Sequence, residues 1–276
     1  MLKTKRSKFI SGLALCGFLL LALAFPFGPL FPWSPLKLGY NHVSHARAEV
    51  FYGAADALLA DYASVDQMMN EAEAFHGLRY QRRVRVIECK DWQTCERALP
   101  WMGNIHGLGG VTLSTGDVIY ITPKLKEKQF STAEFLRHEL SHAVLSQNTT
   151  LVKSYKLNNE PWFFEGLAVS FGKQRNYIQR DEWLTRAKQE SLLAYLDPAH
   201  PASPWNARFA YPTQRYFVEY LRAKFGEERF HQFLTKNIAN PEAWRATFAS
   251  SYDQPFETIA QQYEQAVKTG QWLPAE

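Results

Sequence analysis

His138-Glu139-Leu140-Ser141-His142 is the stretch of this sequence whose residue types and spacing can do chemistry. On a helix, a spacing of four sets both imidazoles on one face a turn apart, so their ring nitrogens can converge on one ion. Glu139 lies beside them. With 8 histidines in the chain, chance alone would yield this pattern in roughly one such chain per hundred. A hydrolytic zinc site uses three protein ligands and leaves the fourth position open. A third histidine in the compact His-Glu-x-x-His-x-x-Gly-x-x-His arrangement fails, because Leu145 stands where glycine should be and Asn148 where histidine should be. No aspartate occurs between Asp117 and Asp181, which leaves a glutamate, Glu160 or Glu165. Glu165 is favoured because it sits inside a helical pattern with Trp162 and Val169 on its face, whereas Glu160 precedes Pro161 in the cap position.

Such residues need rigid elements to hold them. Ser131 and Glu134 make a capping-box pattern that opens a helix to about Gln147, and Pro161 suits the first turn of a second helix ending near Gly172. Upstream, Ser64 to Phe75 reads as a helix stopped by Gly77, and Val84 and Val86 as a half-buried strand. Val111 to Leu113 and Val118 to Thr122 flank a turn-rich link as a hairpin, and the glycines at 103, 107, 109 and 110 before it read as a mobile loop. Further helices are expected near Asp181 to Leu196, Tyr211 to Phe225, Glu227 to Asn237 and Phe256 to Lys268. Strands first and helices afterwards is an α+β arrangement, a small mixed sheet followed by a mainly helical half.

The chain has 276 residues, 46% hydrophobic and 21% charged, which excludes wholesale disorder. The net charge of +4 suggests a polyanion partner until the charges are located. Lys3, Lys5, Arg6 and Lys8 precede an apolar run; with them set aside, 27 basic residues face 27 acidic ones. A neutral body gives no electrostatic case for nucleic acid. The run from Phe9 to Trp33 reads as a secretion signal retained as a single N-terminal membrane anchor, with the remainder on the extracytoplasmic, periplasmic side; secretion after cleavage at Ala22-Leu23-Ala24 is the alternative. Prolines at 26, 29, 32 and 35 suit either a stiff stalk or an irregular linker. Cys89 and Cys95 are expected to pair once exported, two buried thiols being the alternative. Three segments follow: residues 1–35 as anchor and stalk, 36–130 as an α+β subdomain with an edge strand, and 131–276 as a helical subdomain.

Pro161-Trp162-Phe163-Phe164-Glu165-Gly166-Leu167-Ala168 resembles the second zinc-binding helix of gluzincin metallopeptidases, and the stretch from about Val84 to Lys268 resembles the peptidase MA-like domain, a zincin-like fold. Its elements are a strand with a Gly-x-x-Ile-Tyr pattern, the His-Glu helix, the Glu-Gly-Leu-Ala helix, and a Tyr-rich helix ending in Leu221, Phe225 and Gly226. The resemblance implies one Zn2+ per chain held by His138, His142 and Glu165, with Glu139 as general base. It also implies a tyrosine that steadies the oxyanion: Tyr211 matches best, with Tyr216 and Tyr220 on the same helix. In this family the strand corresponding to Val118 to Thr122 lies beside the active-site helix and pairs with an extended substrate. The implied activity is hydrolysis of a peptide or protein, by an endopeptidase, because the Gly-x-Met-Glu-Asn motif that anchors a free amine in aminopeptidases of the clan is not found. An aminopeptidase and an inactive scaffold binding a cell-envelope partner are the alternatives. Glu134, Arg137 and Glu139 in the histidine helix exclude an intramembrane protease. Of the other histidines, His106 in the glycine-rich stretch is the candidate substrate contact.

Overall fold

The computed structural model describes residues 17, 28–34, 37–53, 62–157, 160–197 and 206–274. Five strands form one mixed sheet: β1 (Asn41–Ser44), β2 (Ala48–Tyr52), β3 (Val84–Glu88), β4 (Gly110–Thr112) and β5 (Val118–Ile121), in the order β1-β2-β3-β5-β4. The central pairs β2–β3 and β3–β5 are parallel, and both outer pairs are antiparallel. Parallel strands are covered on both faces, which is why β5 reads Val-Ile-Tyr-Ile with every residue buried. Ile119 and Ile121 meet α1 (Val65–His76) and Leu136 and Leu140 of the long helix α4 (Thr132–Gln147), while Val118 and Tyr120 face the opposite layer. That layer contains α2 (Trp92–Ala98), capped by Asp91, whose carboxylate accepts the Thr94 amide at 2.7 Å. A Cys89–Cys95 disulfide ties α2 to the end of β3. The short α3 (Lys124–Glu127) links β5 to α4.

The remaining helices are α5 (Leu151–Leu157), α6 (Pro161–Gly172), α7 (Arg180–Ala187), α8 (Leu193–Leu196), α9 (Ala207–Phe225), α10 (Glu227–Ala239), α11 (Trp244–Tyr252) and α12 (Phe256–Thr269). They enclose a core around Trp162, whose indole packs against Phe217, Phe233, Phe248 and Phe256. The single helix expected from Asp181 to Leu196 is two. At the break, Glu264 of α12 accepts the Leu192 amide at 2.8 Å, so the backbone groups released from the helix are satisfied. Helix α9 starts at Ala207, a turn before Tyr211, so Pro212 lies inside it and does not open it.

The expected membrane anchor is overturned. Among the described residues no helix is long and apolar enough to cross a membrane, and the cell-membrane placement built on that anchor falls with it. The physical reason lies at the far end of the apolar run, where residues 31–33 form a 3-10 helix with Phe31 and Pro32 buried. Phe31 packs on Tyr40 in the layer that holds the disulfide, so an aromatic counted in the expected anchor belongs to a folded core. Lys37 gathers the carbonyls of Phe31, Pro32 and Ser34 at 2.7, 3.1 and 2.5 Å, and burial pushes its pKa down to about 8. The proline-rich segment from 28 to 34 is thus a packed cap. The rest of the apolar run, Gly17 apart, and the cleavage motif at 22–24 lie outside the described residues.

Candidate metal centre

Helix α4 presents His138, Glu139 and His142 from its middle, where they are 7, 4 and 6% exposed. At its start the Ser131 hydroxyl accepts the Glu134 amide at 3.2 Å. The Glu134 carboxylate accepts the Arg175 amide at 3.0 Å. Half of the capping box forms, and the other half is redirected to fasten α4 to the segment that follows α6.

The second element is α6, which reaches α4 closely because of Gly172. A Cβ there would lie 3.0 Å from the Glu134 carbonyl oxygen and 3.3 Å from His138 Cβ. On α6, Phe164 stacks on the His142 ring with centroids 4.1 Å apart, which fixes the imidazole plane. The next residue, Glu165, sets Oε2 3.4 Å from His138 Nε2 and Oε1 3.7 Å from His142 Nε2. The two Nε2 atoms are 3.0 Å apart. Zinc with ligand bonds of about 2.0 to 2.1 Å in tetrahedral array separates its ligand atoms by about 3.3 Å. The three side chains can hold a metal ion, and their nitrogen and carboxylate donors suit zinc.

The charges agree with that grouping. Burial disfavours a protonated His138, but the neighbouring Glu165 carboxylate, helped by Glu139 and Gln174, outweighs it and raises the pKa. Burial likewise opposes ionisation of Glu165, and His142 and His138 reverse this, holding its carboxyl well below the usual range. Glu160 is elsewhere: its carboxylate takes a hydrogen bond from Asn237 at 3.2 Å, and burial pushes its pKa up to about 8.

Glu139 is gripped from the sheet. Thr112 Oγ1 lies 2.7 Å from Glu139 Oε2 and 2.9 Å from the Glu139 carbonyl oxygen, so the hydroxyl can donate to either. Gly110 leaves room for the carboxylate, since a Cβ there would come within 2.7 Å of Glu139 Cγ and Oε1. The glycine-rich stretch is therefore not merely a loop: Gly110 begins β4. The strand expected to receive substrate is also corrected. β5, the Val118 to Thr122 segment, is paired on both sides, with β3 and β4, and has no free edge; β4 carries the edge beside α4. Sequence alternation cannot separate an edge strand from its neighbour when both are apolar.

Tyr211 of α9 packs its ring edge-on against Tyr177 at 5.2 Å. The Glu165 carboxylate, then burial and Glu139, push its hydroxyl pKa far up. Tyr177 is raised too, by burial first, then Tyr211 and Glu165. The carboxylates of the centre thus act on both phenols. Tyr216 packs on Trp183 at 4.6 Å and Tyr220 on Tyr263 at 5.3 Å, within the helical core. Tyr177, Gln174, Thr112 and Gly110 were not legible as site residues: two lie in the segment between α6 and α7, without periodicity, and two in a strand three residues long. His106 stacks on Trp92 at 4.3 Å and pairs with Glu96 at 2.8 Å on the surface. His76 lies behind α4, its Nε2 2.9 Å from Ser141 Oγ, and burial lowers its pKa to about 3.

No protein-family model matches the chain, and no curated protein matches it. Among solved structures it is similar to an M1 zinc metallopeptidase from Deinococcus radiodurans, at 15% identity and a TM-score of 0.42, covering 85% of this chain and 52% of that one. It is likewise similar to a two-domain M1 zinc metallopeptidase mutant bound to L-arginine, at 15% identity and a TM-score of 0.47, covering 86% and 52%. The chain spans about half the length of these structures.

Proposed function

We propose that this protein is a zinc-dependent peptidase, an endopeptidase by preference. The observation that carries this reading is the convergence of His138, His142 and Glu165, with ring nitrogens and carboxylate oxygens 3.0 to 3.7 Å apart, beside a buried Glu139 held by Thr112. Zinc, when bound by these three side chains, supplies a Lewis acid and lowers the pKa of a water to about 7. Glu139 accepts the proton of the attacking water and passes it to the leaving amine. A group that moves a proton in both directions must keep one position, and Thr112 keeps it. The Tyr211 hydroxyl, kept protonated, donates to the oxygen on which charge develops. The outer edge of β4 offers backbone N–H and C=O groups to an extended peptide, fixing its path without reading its sequence. A binding scaffold would have no use for a base beside its ligands.

The test is metal content of the purified protein together with hydrolysis of an unstructured protein substrate before and after chelation. Glu139→Gln should keep its zinc and lose at least about a hundredfold in rate. An active Glu139→Gln protein would refute the mechanism, and a zinc-loaded wild type inert on peptide libraries would favour the scaffold.

A further inference from the structure

A cavity of about 540 Å³ opens between the segment that follows α6 and the first turns of α9. Its lining includes Gln174 and Tyr177: Tyr177 donates its hydroxyl to Gln174 Oε1 at 3.5 Å and stands against Tyr211, and Gly172, just before the lining residue Lys173, abuts His138. The cavity and the centre thus share a wall. Four cations line it, Lys173, Arg175, Arg180 and Arg215, against one carboxylate, Asp181. In a chain whose body is electrically neutral, that is a local surplus of positive charge beside the centre.

The arginines are braced but not used up. Arg215 donates through Nε to Glu219 at 2.8 Å; Arg180 donates through Nε to the Pro274 carbonyl at 2.8 Å and through Nη1 to Asp181 at 3.3 Å. A guanidinium carries several N–H donors in a fixed fork, so Arg215, braced at Nε, keeps its outer edge for a bidentate carboxylate, and Arg180, braced at Nε and Nη1, keeps its Nη2 donors. Lys173 and Arg175 are exposed at the mouth, Arg175 with Nε 3.7 Å from Glu134, where they raise the local concentration of anions without holding one geometry.

We propose that this cavity binds a carboxylate of the peptide, making the protein selective for acidic peptides. The inference rests on the peptidase reading. Two sources of the carboxylate share this chemistry, an acidic side chain and a free C-terminus.

The experiment uses zinc-loaded Glu139→Gln protein, which binds peptide without cleaving it, and fluorescence anisotropy of short labelled peptides. One probe contains Glu and is C-terminally amidated, the second has Gln in place of Glu and is amidated, and the third has Gln and a free C-terminus. The Glu probe should bind about tenfold more tightly than the amidated Gln probe, the worth of a charge-assisted hydrogen bond. That preference should disappear in Arg180→Gln and in Arg215→Gln, and shrink in the surface pair Lys173→Gln and Arg175→Gln, which should not threaten folding. Tight binding of the third probe alone, lost in the same variants, would assign the cavity to a C-terminal carboxylate and would still support it. Equal affinities, or a preference untouched by all four substitutions, would overturn it. If peptides bind or are cleaved without charge preference, only this inference fails; if none binds and wild type cleaves none, the peptidase reading fails first.

Discussion

Replacing Thr112 by valine removes one hydroxyl and preserves the branched shape that a strand favours, so β4 and its outer edge should persist. What is lost is the 2.7 Å bond to Glu139 Oε2. A hydrogen bond to a charged group is worth about 1.5 to 3 kcal/mol, and without it the carboxylate is free to turn into the space that Gly110 leaves open. A displacement of about 1 Å at a reacting group can cost a hundredfold. We expect kcat to fall between about tenfold and a hundredfold with KM nearly unchanged, since the peptide contacts proposed above would be made by the backbone of the same strand. Steady-state kinetics on any peptide that the wild type cleaves would measure this, with zinc content and the thermal midpoint as controls. Thr112→Ser should restore most of the rate, because it returns the hydroxyl without the methyl. A Thr112→Val protein with full zinc and wild-type kcat would refute the positioning argument; equal losses in the serine and valine variants would show that the methyl group, not the hydroxyl, matters.

Glu165→Gln should empty the centre of zinc as measured by metal analysis, whereas Glu160→Gln should retain it; the reverse would mean that the third ligand is misassigned. Tyr211→Phe should keep fold and metal and lose about a hundredfold to a thousandfold in turnover, the usual worth of one oxyanion donor, and an unchanged rate would direct the same test to Tyr177. Burial raises the Glu160 pKa from 4.5 to about 8, so the folded protein holds a proton there that the unfolded chain releases. Stability should therefore fall as pH rises from about 4.5 to about 8, by as much as about 5 kcal/mol, and denaturant melts of Glu160→Gln should show a flatter profile across that window.

The histidine helix was legible because its capping serine, its length and its ligand spacing all point to one element, and the structure bounds it at Thr132–Gln147. Glu165 was separated from Glu160 by the same logic, since a residue inside a helix projects from a fixed backbone and one before a proline does not. What failed to show depends on contacts between distant segments. The β1–β2 hairpin was missed because short strands carry little signal of their own; β2 is fixed by parallel pairing with β3, its Val50 opposite Val86. Strand order was equally hidden, which is why β5 was taken for the edge.

Helix α6 shows why ligand and core were read from one segment. Its residues from Trp162 to Ala168 are apolar on nearly every side because it packs against both α4 and α9, so no amphipathic stripe marks an exposed face. A carboxylate in such a setting carries a desolvation cost that only opposite charge can offset. The groups within reach of Glu165 are two imidazoles whose ring nitrogens lie 3.4 and 3.7 Å away. The imidazoles offset that cost only to the extent that they carry charge, whereas a divalent ion shared by all three side chains would offset it outright. The charge that looks misplaced in an apolar helix is thus the feature that most directly implies a metal.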